Sequence, residues 1–193
     1  MKGFLFFVIL IMHLCNLNAQ PIKIYTNNDG LSKNYVTSIH KDSKGFMWFG
    51  TTVGLNRFDG YNFKAYFHNE SDSMTLCNNN IRKILEDAKG DLWIATTNGL
   101  SRYNYNTDNF TNYFHVPQLK GSLSNNYINS IFIDEDKNLW VTTSEGFDKL
   151  LTETNTFQHF VFNTNKSGVS DNKAIYDITQ DLKGVLFNRQ ECG

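Results

Sequence analysis

Four carboxylates are spaced so that they could act together. Asp42, Asp87, Asp134 and Asp181 recur at intervals of 45, 47 and 47 residues. Carboxylates gathered from separate repeats can hold a hard cation such as Ca²⁺, or serve as the acid and base of glycoside hydrolysis. Thr51, Thr96 and Thr142 recur downstream of the first three as hydroxyls that a nucleophile story would need, and His68 and His115 recur as a pair of imidazoles. Each group also has a plainer reading. An acid just before a turn glycine caps the turn by accepting backbone N–H groups, β-branched threonines suit strands, and a residue present in every repeat serves the repeat. The chain shows no Gly-x-Ser-x-Gly, no phosphate loop, no Cys-x-x-Cys and no Cys/His cluster at metal-ligand spacing. The sequence therefore assigns no catalytic, cofactor-binding or metal-ligating residue, and the chain itself reads as a non-enzyme. Cys77 and Cys192 are expected to be unpaired or incidental thiols, too sparse for a disulfide scaffold.

The elements that must position these groups follow from an internal repeat. Trp48, Trp93 and Trp140 stand 45 and 47 residues apart, with Phe187 a further 47 along. Nine residues before each anchor is an isoleucine (Ile39, Ile84, Ile131, Ile178), and six after it is a glycine (Gly54, Gly99, Gly146, Gly193). An aromatic pair closes each unit: Phe63 with Tyr66, Phe110 with Tyr113, Phe157 with Phe160. The shorter first interval is absorbed between the post-anchor glycine and the closing Phe, at one hairpin tip. Each unit reads as four short strands. In the first unit these are Tyr35 to His40, the anchor strand Phe46 to Thr52, Leu55 to Phe58, and Phe63 to Phe67. The Asp-x-Lys-Gly turns precede the anchor strand. The pairs Val53-Gly54, Asn98-Gly99 and Glu145-Gly146 are expected to be the two-residue connections after it, Asn-Gly being a strong hairpin signal. Four-stranded units at a period of 40 to 50 residues point to an all-β chain of β-propeller blades. The blades are expected at about 31–67, 76–114, 123–161 and, incomplete, 169–193. About three and a half blades fall short of the four to eight that close a ring, so an open edge prone to aggregation is expected.

The segments Asp42 to Leu55 and Asp87 to Leu100 carry the pattern Asp-x-x-Gly-x-[Leu/Met]-Trp-x-[Gly/Ala]-Thr-x-x-Gly-Leu, which resembles the two-component regulator propeller repeat. The third copy, Asp134 to Phe147, departs at Lys137 and Phe147, and the fourth departs further, with Phe187 in place of Trp. This resemblance implies the periplasmic ligand-sensing part of a hybrid two-component sensor histidine kinase, reading oligosaccharides. It also implies, as partners, the remainder of that sensor and a second copy of the chain in a homodimer. Trp-Asp repeats are excluded, since neither a Gly-His nor a Trp-Asp pair recurs, and the sialidase acid, five residues before Trp, is replaced by Ser43, Ala88 and Glu135.

Residues 1–19 read as a signal peptide: Lys2, an apolar run from Phe4 to Met12, then Leu17-Asn18-Ala19 before the cleavage point. That run is too short to span a bilayer, which leaves residues 20–193 as a periplasmic or secreted body with no membrane span. His13 and Leu14 before Cys15 do not suit lipid attachment. A net charge of −1, from 18 Lys plus Arg against 19 Asp plus Glu, offers no footprint for nucleic acid. Function on such a body is expected in the polar, non-repeating loops Asn69–Asn80, Val116–Asn126 and Asn163–Lys173, whose Asn, Ser and Thr side chains suit a small-molecule ligand, above all an oligosaccharide. The alternatives are a secreted propeller enzyme acting on polysaccharide, as lyase or glycosidase, and a protein-binding scaffold.

Overall fold

A computed structural model describes residues 22–160 and the backbone of two further strands, Asp177–Gln180 and Leu186–Arg189. The leader (1–19), Cys192, the turn 181–184 and the loop Asn163–Lys173 lie outside the described residues. The strands are β1 Val36–Lys41, β2 Met47–Thr51, β3 Leu55–Phe58 and β4 Phe63–Tyr66, then β5 Ile81–Glu86, β6 Leu92–Thr96, β7 Leu100–Asn104 and β8 Asn109–Tyr113. The third set is β9 Ile128–Ile133, β10 Leu139–Thr143, β11 Gly146–Leu151 and β12 Thr156–Phe160, followed by the pair β13 Asp177–Gln180 and β14 Leu186–Arg189. Each set is an antiparallel meander in chain order. The only helical element among the described residues is a 3₁₀ turn, Asn27–Asp29, with a Thr26 and Asp29 capping box. The chain is thus all-β and built of propeller blades.

The first strands pack in a row, β1 on β5, β5 on β9 and β9 on β13, so they form the hub side of the blades. The tryptophan faces of the first and second blades each pack on the next blade. Trp48 joins Leu92, Ile94, Tyr103 and Phe110 of the second blade in one core, and Trp93 joins Ile131, Val141, Leu150 and Phe157 of the third in another. A single four-stranded sheet has nowhere else to bury this face, and each anchor indole removes roughly 150–250 Å² from water. The small residue two after the first anchor has a direct cause: a Cβ on Gly50 would lie 2.5 Å from Ile81 Cγ2 of the neighbouring blade.

The capping acids do more than cap. Asp42 Oδ1 accepts from the backbone N–H of Lys44 and Phe46, as the turn chemistry predicts, while Oδ2 accepts from the indole Nε1 of Trp48 at 2.7 Å. Asp87 to Trp93 (2.9 Å) and Asp134 to Trp140 (2.8 Å) repeat the bond. The six-residue spacing from acid to anchor therefore pairs an indole N–H donor with a carboxyl acceptor. Lys137, in place of the expected glycine, takes the left-handed backbone itself (φ 68°).

The expected connection after the anchor strand is corrected by one position. Gly50 pairs with Leu55, Ala95 with Leu100 and Thr143 with Gly146, so the turning residues are Thr52-Val53, Thr97-Asn98 and Ser144-Glu145. No non-glycine at these positions has positive φ, so the Asn-Gly turn geometry is not used. The glycine following the turn is required by its own positive φ (+103° at Gly99) and by close approach: a Cβ on Gly99 would sit 2.8 Å from the Phe114 ring and 3.0 Å from Tyr113 O. Thr51 closes its turn by accepting from the N–H of Val53 and Gly54 while donating to Gly54 O, and Thr96 does the same work in the second blade. The third-blade equivalent is Thr143 and not Thr142, whose hydroxyl donates across to Ser130 O.

Candidate functional site at the hub end of the blades

The first strands β1, β5 and β9 each carry one extra residue against their partners. Thr37 lies between the pairs Val36↔Thr51 and Ser38↔Gly50, Arg82 between Ile81↔Thr96 and Lys83↔Ala95, and Asn129 between Ile128↔Thr143 and Ser130↔Thr142. Such β-bulges bend a strand and re-aim side chains, and they concentrate beside functional sites. Their recurrence at one level puts Thr37, Arg82 and Asn129 in a row along the hub, where the strands begin.

Two residues before the bulge stand Tyr35, Asn80 and Tyr127. Tyr35 is 67% exposed and Tyr127 43%, and the Arg82 guanidinium lies 5.9 Å from the Tyr127 ring centre. Exposed phenols beside a guanidinium and amides offer flat apolar faces with hydrogen-bonding tips, the mixture a polar ring-shaped ligand needs. The backbone here is fixed by cross-loop bonds, Thr97 N–H to Asn80 O and Ser144 N–H to Tyr127 O. The signal in the sequence was weak: nothing in the residues marked where an extra one would be accommodated.

The polar loops 69–80 and 116–126 run to this same end, and much of their polarity is used internally. His68 and His115 share one role: each backbone N–H donates to an amide (Asn79, Asn126), and each Nδ1 lies within 2.7 Å of a loop carbonyl (Leu76, Leu123). Asn69, Asp72 and Thr75 accept from their own loop's N–H groups, and Asn112 Nδ2 donates to Ser73 O and Thr75 O.

Beneath the loops each blade has a buried polar trio. Ser32, Thr51 and Asn56 form the first, Cys77, Thr96 and Ser101 the second, and Ser124, Thr143 and Asp148 the third. Cys77 is a buried free thiol whose pKa burial pushes up, so it is a packing residue and not a nucleophile. In the third blade Asp148, fully buried, accepts from Ser124 through Oδ2 and lies 2.7 Å from His159 Nδ1 through Oδ1. Burial raises the Asp148 pKa against the opposing Ser124 amide and His159. Ser, Asp and His are all present, yet the carboxylate sits in the middle and the hydroxyl bonds to it. A nucleophile requires the imidazole on the hydroxyl, so the trio is structural.

Asp42, Asp87 and Asp134 each stay on their own Trp, and among the described residues no group of three or more His, Cys, Asp or Glu could hold a metal ion. Nor is any described helix long and apolar enough to cross a membrane.

The sequence model described as two component regulator propeller matches residues 30–52, 75–98 and 122–145, one match spanning each acid, anchor and turn. A curated relative, histidine kinase P4 of Formosa agariphila, is 43% identical over 76 residues, which is 37% of this chain and 6% of the relative. The crystal structure of an extracellular domain assigned to a hybrid two-component system of B. thetaiotaomicron is 32% identical, with TM-score 0.76 over 86% of this chain and 23% of that one. Virginiamycin B lyase from Staphylococcus aureus, solved with quinupristin, is 21% identical with TM-score 0.60, over 90% of this chain and 54% of that one, and shares the fold. The chain thus spans a small part of the sensors it resembles. With its Asp–Trp turns, stacked meanders and in-phase matches, it carries three repeats of the two-component regulator propeller family.

Proposed function

We propose that this chain is part of the ligand-sensing propeller of a two-component signalling protein, exported through the leader at residues 1–19 and working in the periplasm. It binds an oligosaccharide at the hub end and passes the binding event to the remainder of the sensor, within a homodimer and without catalysis of its own. The observation that carries this reading is the likeness to the extracellular domain of a hybrid two-component system, at 32% identity over most of the chain. Exposed Tyr35, Arg82 and Tyr127, at the level of the bulges, supply hydrogen-bonding and stacking groups. The lyase likeness supports a second reading, a propeller enzyme that cleaves its ligand. The test is to incubate the whole sensor with a panel of oligosaccharides, following binding by calorimetry and cleavage by chromatography. Saturable binding without products, weakened by Tyr127→Ala and Arg82→Ala, is the expected result. Product release would establish the enzyme instead.

A further inference from the structure

At the end of the blades opposite the hub loops, a cleft of about 320 Å³ opens between the turns of the first and second blades. Its volume is at the lower limit of small-molecule pockets, about 300–1,000 Å³, which is room for one ring-sized unit. The charged lining is Lys44, Lys89, Arg102 and Asp91, three cations against one anion in a chain whose net charge is −1. The nearby acids are already engaged. Asp42 and Asp87 hold their turns and indoles, Glu86 accepts from Ser43 N–H and Oγ, and Asp91 lies 3.6 Å from Arg102. Lys89 is exposed, with no partner for its ammonium among the described residues. The Lys44 ammonium lies 4.5 Å from the centre of the Tyr105 ring, and that ring is anchored by its hydroxyl to Asp42. Asn104 and Asn106 add amides at the mouth.

Two cations with no carboxylate of their own, an aromatic wall, and amides around a ring-sized space form an anion-recognising arrangement. The geometry points to a second binding site here, for an acidic saccharide unit whose carboxylate sits between Lys44 and Lys89 while its hydroxyls meet Asn104 and Asn106. It is separate from the hub-end site and does not depend on what binds there.

The experiment titrates the whole protein with trigalacturonate, maltotriose and sodium sulfate by calorimetry, at 50 and 300 mM salt. Trigalacturonate is expected to bind saturably, with affinity falling at high salt. Lys89→Gln and Lys44→Gln are each expected to weaken it by roughly five- to tenfold, as for loss of one charge-assisted bond, and Lys33→Gln, an exposed lysine outside the cleft lining, to leave it unchanged. Both lysines are on exposed turns, so the variants keep the fold, which circular dichroism checks. Equal binding of maltotriose, equal binding of sulfate, or trigalacturonate affinity indifferent to both lysine variants would each overturn the assignment. So would an equal loss in Lys33→Gln, which would mean general charge attraction in place of a site.

Discussion

Replacing Asp42 tests the central structural claim, that one carboxylate ties turn, anchor and neighbouring blade together. It accepts four bonds: from Lys44 N, Phe46 N, Trp48 Nε1 and, from the second blade, Tyr105 OH. Trp48 is fully buried, so without Asp42 its N–H can reach neither water nor another acceptor. A bond to a charged acceptor is worth about 1.5–3 kcal/mol, and an orphaned buried donor costs about 1–3 kcal/mol. The two turn amides and the Tyr105 hydroxyl lie nearer the surface and regain water, so they contribute less. Asp42→Ala is expected to destabilise the propeller containing this segment by about 3–5 kcal/mol. Asp42→Asn keeps an acceptor for the turn but presents an N–H₂ to the indole, and should cost about 1–3 kcal/mol. Urea unfolding followed by tryptophan fluorescence measures both, read at constant slope. A cycle with Trp48→Phe, which removes the indole N–H, isolates the pair and should return a coupling of about 1–3 kcal/mol. A loss below about 1 kcal/mol for Asp42→Ala, or a coupling near zero, would refute the claim.

Trp93→Ala removes the anchor shared by the second and third blades and should cost about 3–5 kcal/mol in the same assay; a much smaller loss would mean the indole is not core. Gly99→Ala combines a φ of +103° with a Cβ 2.8 Å from the Phe114 ring, and is expected to cost about 2–3 kcal/mol, whereas Gly45→Ala, with no atom within 4 Å and φ of +94°, should cost only the backbone strain of about 1–2 kcal/mol. Asp148 has its pKa raised by burial. The folded state therefore holds its proton at pH values where the unfolded chain has released it, and this group's contribution falls as pH rises from about 4, the ordinary carboxylate value, towards the raised native one. Asp148→Asn should flatten that fall; urea midpoints between pH 3 and 8 that run parallel for both proteins would contradict it.

Much of the architecture was legible because the repeat is written in residue types. The anchors, the acids six before them and the closing aromatics located four strands per unit, and those strands are present. What the acids bond to was half legible. Turn capping follows from the short Asp-x-Lys-Gly spacing, whereas the bond to the indole depends on how far the anchor strand doubles back, a matter of register. The turn after the anchor was misplaced for a related reason. Asn98-Gly99 has the composition of a two-residue turn, but the Thr96 hydroxyl closes the hairpin one position earlier, leaving the glycine to clear Phe114 and Tyr113.

The sequence by itself determined the blade, because burying one tryptophan face per unit leaves a four-stranded sheet no alternative to stacking. It also settled that His68 and His115 do matching work, since equivalent positions in equivalent units meet equivalent neighbours. Tertiary structure alone decided where the two proposed sites fall. The hub row of Thr37, Arg82 and Asn129 exists because three strands each accommodate one extra residue, and the cleft of Lys44, Lys89 and Arg102 exists because two blades meet at a particular angle. Neither a bulge nor an inter-blade angle is a property of residue type. Both arise from packing one sheet on another.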